Sequence, residues 1–245
     1  MSPWLETILT SFARATSNKQ SLDVLVHAAR DLGFEYCSLG VKLPFPRIKP
    51  QVLIFDNYTP EWRAQYQAEG YLAIDPTVAH GMRSVLPLVW SENVFSQNPT
   101  FWADAHAHGL HTGWAQACFN AQGVGAMLTL SRAHNDLGTT ELDAQGTRMV
   151  ELAQAAHEHF ATRLVAAHTP DLTVQLHSRE REVLMWTIDG KTAGEVGEIL
   201  NLSERTVNHY IGQAMEKLNA TNKILTRGFY KFDNTWFLPK PFNRR

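Results

Sequence analysis

Trp62 and Tyr66 stand four residues apart, so on a helix they share one face. An indole N–H only donates, a phenol such as Tyr58 can donate or accept, and an ionised carboxylate such as Asp75 only accepts. Together with Trp90, these side chains look like the floor of a small-molecule pocket. Each also has a plainer reading when taken singly. Aromatic pairs at this spacing usually pack a core, Asp before Pro usually makes a turn, and Trp at a strand end usually packs. A second set lies near the C-terminus. Arg205, Thr206, Asn208 and His209 fall in the first turns of one predicted helix. Arg suits the edge of guanine and Asn that of adenine. Lys217, Asn222 and Lys223 follow where phosphate anchors would help, although a small helical bundle with a solvated face fits the same pattern.

The elements that must position these groups follow from periodicity. Leu5, Ile8, Leu9 and Phe12, then Leu22, Leu25, Val26 and Ala29, recur at helical spacing across residues 3–32. Phe34 to Val41 and Gln51 to Asn57 read as strands, separated by Pro44, Pro46 and Pro50. Helices are predicted over Pro60–Tyr71, Thr77–Arg83 and Phe101–His108, and strands over Leu86–Trp90, Gly113–Asn120 and Val124–Arg132. Thr140 and the acids after it open a long helix that buries Leu142, Met149, Leu152, Ala156, Phe160 and Leu164. Helices flanking consecutive strands predict an α+β chain: an N-terminal α/β/α sandwich over residues 1–165 with a mostly antiparallel sheet. Residues 166–173, with Pro170, read as a linker. Residues 174–245 read as a small all-α unit. In it Ser178 caps a first helix, Gly190 stops it, Thr192 and Glu195 form a capping box, and Ser203 caps a third helix with Arg205, Asn208, His209 and Gly212 outward.

Two resemblances sharpen this. Leu176-x-x-Arg-Glu180-x-x-x-Leu184, Gly190-Lys191-Thr192, Ser203-Glu-Arg-Thr-Val-Asn208 and Lys217-Leu218 resemble the LuxR-type helix-turn-helix domain. The resemblance implies that the third helix reads double-stranded DNA and that a fourth helps two domains pair on a palindromic site. Residues 224–245 depart from the family's usual Ala-rich ending. Tyr58-x-x-x-Trp62-x-x-x-Tyr66, Asp75-Pro76, Trp90 and Gly109-x-x-x-Gly113 resemble the autoinducer-binding domain of LuxR-type quorum-sensing regulators. That implies an N-acyl homoserine lactone as ligand. Trp62 would then meet the lactone carbonyl, Asp75 the amide N–H, Tyr58 the amide carbonyl, Ser38 and Thr129 would support, and Tyr66 and Trp90 would be walls. A bacterial transcription factor acting as a homodimer is expected. The alternatives are a regulator that acts by pairing with other regulators, or one that senses another small amphipathic molecule.

Bulk properties agree. The 245 residues carry a formal net charge of −2, and 44% are hydrophobic, as suits a globular chain. Residues 173–245 hold eleven Lys/Arg against eight Asp/Glu, so the end expected to meet nucleic acid is the more basic one. Cys37 and Cys118 do not make a disulfide framework. No signal peptide and no stretch of roughly 18–20 apolar residues is seen, so a cytoplasmic protein without membrane contact is expected. His106-Ala-His-Gly-Leu-His111 resembles the zinc loop of metallo-hydrolases, but Leu110 stands where the loop needs an acid. Neither a metal, a cofactor nor an enzymatic activity is expected.

Overall fold

The structure, a computed structural model, describes residues 2–43, 52–121, 123–168 and 176–217. The chain divides into two compact units, Met1–Val165 and Ala166–Arg245. The first opens with α1 (Pro3–Arg14) and α2 (Asn18–Asp31), capped by the Ser2 and Ser17 hydroxyls, which accept from Leu5 N and Gln20 N. The strands are β1 (Tyr36–Lys42), β2 (Val52–Asp56), β3 (Leu88–Val89), β4 (Thr112–Phe119) and β5 (Gly125–Arg132). They form one sheet in the order β2-β1-β5-β4-β3, with every pairing antiparallel. Between β2 and β4 lie α3 (Pro60–Ala68), α4 (Pro76–Gly81), α5 (Glu92–Phe95) and α6 (Pro99–Ala107), and α7 (Thr139–His168) closes the unit.

Successive strand residues face opposite sides. On one side Cys37, Leu39, Val41, Ala126, Leu128 and Leu130 are buried with Phe12, Leu25, Met149, Leu152 and Phe160 from α1, α2 and α7. That dry side needs no ligand to be complete. On the other side Trp62 from α3, Tyr71 from the turn that follows it, and Phe101 and Ala105 from α6 form a separate aromatic cluster. Between that cluster and the sheet a space is left. Arg132 fixes the far end of β5: its guanidinium donates to both carboxylate oxygens of Glu141 in α7, at 2.8 and 2.7 Å, and to the carbonyls of Asn135 and Gly33.

The second unit holds α8 (Ser178–Ile188), α9 (Ala193–Leu200) and α10 (Glu204–Lys217) around Val183, Val196, Val207 and Ile211. The capping box at Thr192 and Glu195 is present, and Ser203 Oγ accepts from Thr206 N at 3.1 Å. The turn between α9 and α10 is tight: a Cβ on Gly197 would sit 2.6 Å from the Leu202 carbonyl oxygen.

Several boundaries differ from the sequence reading. The helix expected to reach Tyr71 ends at Ala68, because Gly70 adopts φ +65° and turns the chain into a short 3-10 turn. The strand expected over Leu86–Trp90 is only Leu88–Val89, opposite Ala115 and Trp114 of β4, with the Trp90 N–H still donating to the Gly113 carbonyl at 2.8 Å. His177, not Ser178, occupies the cap of α8, with its N–H held by the Glu180 carboxylate at 2.8 Å. Residues 166–168 of the expected linker belong to α7, and residues 169–173 lie outside the described residues. So do Leu218 and the atypical segment 224–245.

Candidate functional site

The space beside the sheet is a cavity of about 680 Å³. Its lining includes Ser38, Tyr58, Trp62, Tyr66, Asp75, Trp90 and Thr129, the seven residues expected from sequence. Ser38 from β1 and Thr129 from β5 are directly opposed in the sheet.

Asp75 is the best fixed of the polar groups. It caps α4: Oδ1 accepts from Thr77 N at 2.8 Å and from the Thr77 hydroxyl at 2.7 Å. Oδ2 accepts from the Tyr66 hydroxyl at 3.0 Å. The Val78 N–H bears on the same carboxylate, so its lone pairs are well supplied, and a ligand donor would share an oxygen with these partners. Asp75 is only 9% exposed, and burial raises its pKa above the ordinary 3.8 against the lowering effect of those hydrogen bonds. A further donor from a ligand would favour the charged form. Tyr66 is therefore more than the apolar wall expected of it. Its hydroxyl orients the carboxylate, and burial together with Asp75 raises its own pKa. The Tyr58 phenol is also pushed up, first by burial.

Trp62 is 4% exposed and held on all sides: stacked on Phe101 at 6.0 Å, edge-on to Tyr66 at 5.7 Å, and beside His108 at 5.3 Å. His108 Nε2 donates to Gln65 Oε1 at 2.8 Å, and the Tyr71 hydroxyl donates to Asp104. These contacts fix where the indole can reach. Trp90 packs edge-on against Phe95 and Trp102. Its flat face rests on Gly113, where a Cβ would come within 2.4 Å of the ring. The glycine in the Gly109-to-Gly113 spacing is thus required by the indole, a reason hidden in sequence. The His106, His108 and His111 group makes ordinary contacts, with His106 Nδ1 at 2.8 Å from the Trp102 carbonyl. Among the described residues no three His, Cys, Asp or Glu side chains are grouped to hold a metal ion.

Sequence reasoning missed Gly40, Thr77, Val78, Phe101, Leu110 and Met127, which also line the cavity. Gly40 and Met127 could have been found by stepping two residues along the strands from Ser38 and Thr129.

In the second unit Arg205, Asn208 and His209 are exposed on α10 along with Gly212, opposite the face buried through Val207 and Ile211. Thr206 is half-buried, and its hydroxyl lies 2.7 Å from Ser203 Oγ. Lys217, expected as a phosphate anchor, has another task. Its ammonium donates to both oxygens of Glu180, at 2.7 and 2.9 Å, tying α10 to α8. Glu180 is 1% exposed, and a carboxylate so buried needs that counter-charge. Asn222 and Lys223 lie outside the described residues.

Residues 17–160 match the model of the autoinducer binding domain, and residues 174–225 match that of the luxR family of bacterial regulatory proteins. The transcriptional activator protein SolR of Ralstonia solanacearum is 40% identical over 224 residues, 91% of this chain and 95% of its own. The transcriptional activator protein AnoR of Acinetobacter nosocomialis is 37% identical over 226 residues, again 91% and 95%. Escherichia coli SdiA has a similar structure, with a TM-score of 0.78 at 30% identity over 92% of this chain and 94% of SdiA. SdiA in complex with octanoyl-rac-glycerol gives 0.76 at 30% identity, covering 92% of each chain. With an autoinducer-binding domain joined to a DNA-binding helix-turn-helix along one chain, the protein belongs to the LuxR family of quorum-sensing transcriptional regulators and is not an enzyme.

Proposed function

We propose that the ligand is an N-acyl homoserine lactone and that its binding controls attachment of a homodimer to a palindromic promoter site in the cytoplasm. The observation that carries the reading is a buried carboxylate, Asp75, held in place by Tyr66 and Thr77 in an apolar-walled cavity where Trp62, Tyr58, Ser38 and Thr129 supply the other polar groups. Asp75 would accept from the amide N–H in a charge-assisted bond. Trp62 would donate to the lactone carbonyl and Tyr58 to the amide carbonyl, with Tyr66 holding Asp75 in place. On the DNA side Arg205, Asn208 and His209 would face base edges in the major groove. Thr206 would be nearer the backbone, and Asn222 and Lys223 would meet phosphates. No helix among the described residues is long and apolar enough to cross a membrane.

A gel-shift titration on an inverted-repeat site, with and without lactone, tests this. Lactone-dependent retardation is expected, and Arg205→Ala should weaken it without changing lactone binding. Equal retardation with and without every lactone would remove ligand control from the reading. A second ligand class has one observation in its favour: the related SdiA has been solved with octanoyl-rac-glycerol bound. Competition between a lactone and that monoacylglycerol on the purified protein separates the two.

A further inference from the structure

We infer that the cavity is built for a long acyl tail, of roughly eight to twelve carbons, laid over Gly40, and that Gly40 sets this length. The inference rests on the lactone reading above. The cavity face of the sheet is arranged in three cross-strand rows. Ser38 lies between Asp56 and Thr129, Gly40 between Ile54 and Met127, and Lys42 between Val52 and Gly125. The first row is polar and belongs to the head-group end. From Ser38 to Lys42 is four residues, about 13 Å at roughly 3.3 Å per residue. An extended alkyl chain with bonds of about 1.5 Å advances about 1.3 Å per carbon, so about ten carbons cover that span.

The middle row decides whether a tail can pass. On its β5 side Met127 crosses the space to α4, where a Cβ on Gly81 would lie 2.9 Å from Met127 Sδ. On its β1 side the way is open, because a Cβ on Gly40 would meet no heavy atom within 4 Å. A glycine inside a strand weakens the strand and often marks a close approach by something else. Gly40 sits in β1, between two paired strands, and among the described residues no heavy atom lies within 4 Å of where its Cβ would stand. Beyond it, exposed hydrophobic side chains ring the outer end: Val52 at 39%, Met82 at 63% and Phe119 at 54%. A tail reaching the third row would cover apolar surface there that a four-carbon tail cannot reach.

The test uses the full chain and its Gly40→Leu and Met127→Ala variants. Half-saturating concentration and thermal midpoint are measured with butanoyl-, hexanoyl-, octanoyl-, decanoyl- and dodecanoyl-homoserine lactone. In the wild type the three longer lactones are expected to bind at least about tenfold more tightly than butanoyl. Leucine at 40 leaves only the span from the first row to the second, about 7 Å. Gly40→Leu should therefore weaken decanoyl and dodecanoyl binding by about a hundredfold and keep butanoyl and hexanoyl within about threefold. Met127→Ala widens the same row and should shift preference several-fold toward dodecanoyl over hexanoyl. An unchanged length profile in Gly40→Leu, or an equal loss at every length, overturns the role of Gly40. If Gly40→Leu does not fold, an unchanged dodecanoyl-to-hexanoyl ratio in Met127→Ala does the same. A wild type that binds all lengths equally overturns the inference but leaves the lactone reading standing. A wild type that binds none overturns both.

Discussion

At the scale of single residues, Asp75 carries the chemistry with the clearest consequence. Its pKa is raised from 3.8 by burial, so the folded protein keeps this proton to higher pH than the unfolded chain does. The stability this gives is complete below 3.8 and is lost as pH rises through the higher folded value. We therefore expect Asp75→Asn to flatten one component of the pH dependence of unfolding, read as the difference between wild-type and variant thermal midpoints from acid to neutral pH. The same variant should weaken lactone binding by about 1–3 kcal/mol, because a buried polar contact is lost. Full wild-type affinity in Asp75→Asn would separate this carboxylate from the ligand. Asp75, Trp62 and Tyr58, which all line the cavity, stood out in the sequence through the family resemblance that their spacing carries, since taken singly each reads as a core or turn residue. Gly40 and Met127 did not. One offers absence of bulk and the other a flexible thioether, and neither announces a cavity until strand register is known. Gly113 was visible only as part of a spacing, and its reason lies in the indole of Trp90.

At the scale of elements, hydrophobic periodicity located every helix and strand of the described residues that is longer than four residues. It failed where tertiary contact decides. The strand of Leu88 and Val89 is short because only these two stand in register with β4, opposite Ala115 and Trp114. The first helix of the second unit begins one residue earlier than its best hydroxyl would suggest, because Glu180 reaches back to the His177 amide. Lys217 shows the same limit: a lysine near the end of a DNA-reading helix looks like a phosphate contact, yet its partner is the buried Glu180. That pairing lowers the Glu180 pKa below 4.5 against the opposing effect of burial. Its stabilising effect is present above 4.5 and is lost as pH falls through the lower folded value. Lys217→Met should destabilise the second unit by about 2–4 kcal/mol at neutral pH, since it strands a buried carboxylate. Chemical denaturation followed by circular dichroism measures it. A loss of DNA affinity with no change in stability would instead return Lys217 to the duplex.

At the scale of the whole molecule, the two sides of the sheet differ in what they need. One is a filled core, and the other is a cavity closed only by what enters it. A ligand that binds the folded form alone stabilises it by about 2.7 kcal/mol at a hundred times its Kd. For a unit of this size that corresponds to a rise of roughly 5–10 °C in the unfolding midpoint. Scanning calorimetry with saturating lactone should show this rise for the unit spanning Met1–Val165. An unmoved midpoint under saturating lactone would mean that binding and folding are uncoupled. Periodicity divided the sequence into two units, and the two resemblances, carried by Trp62, Asp75 and Trp90 and by Glu180, Gly190 and Asn208, made one a sensor and the other a DNA reader. The sequence could not tell the order of the strands. That order has a consequence for synthesis. β1 pairs with β5, so the cavity wall cannot be assembled on a growing polypeptide until residue 132 has left the ribosome. The three helices of the DNA reader begin only at Ser178. A nascent chain therefore holds an unfinished receptor until both β5 and α7, which ends at His168, are free, so a signal can be enclosed only late in synthesis.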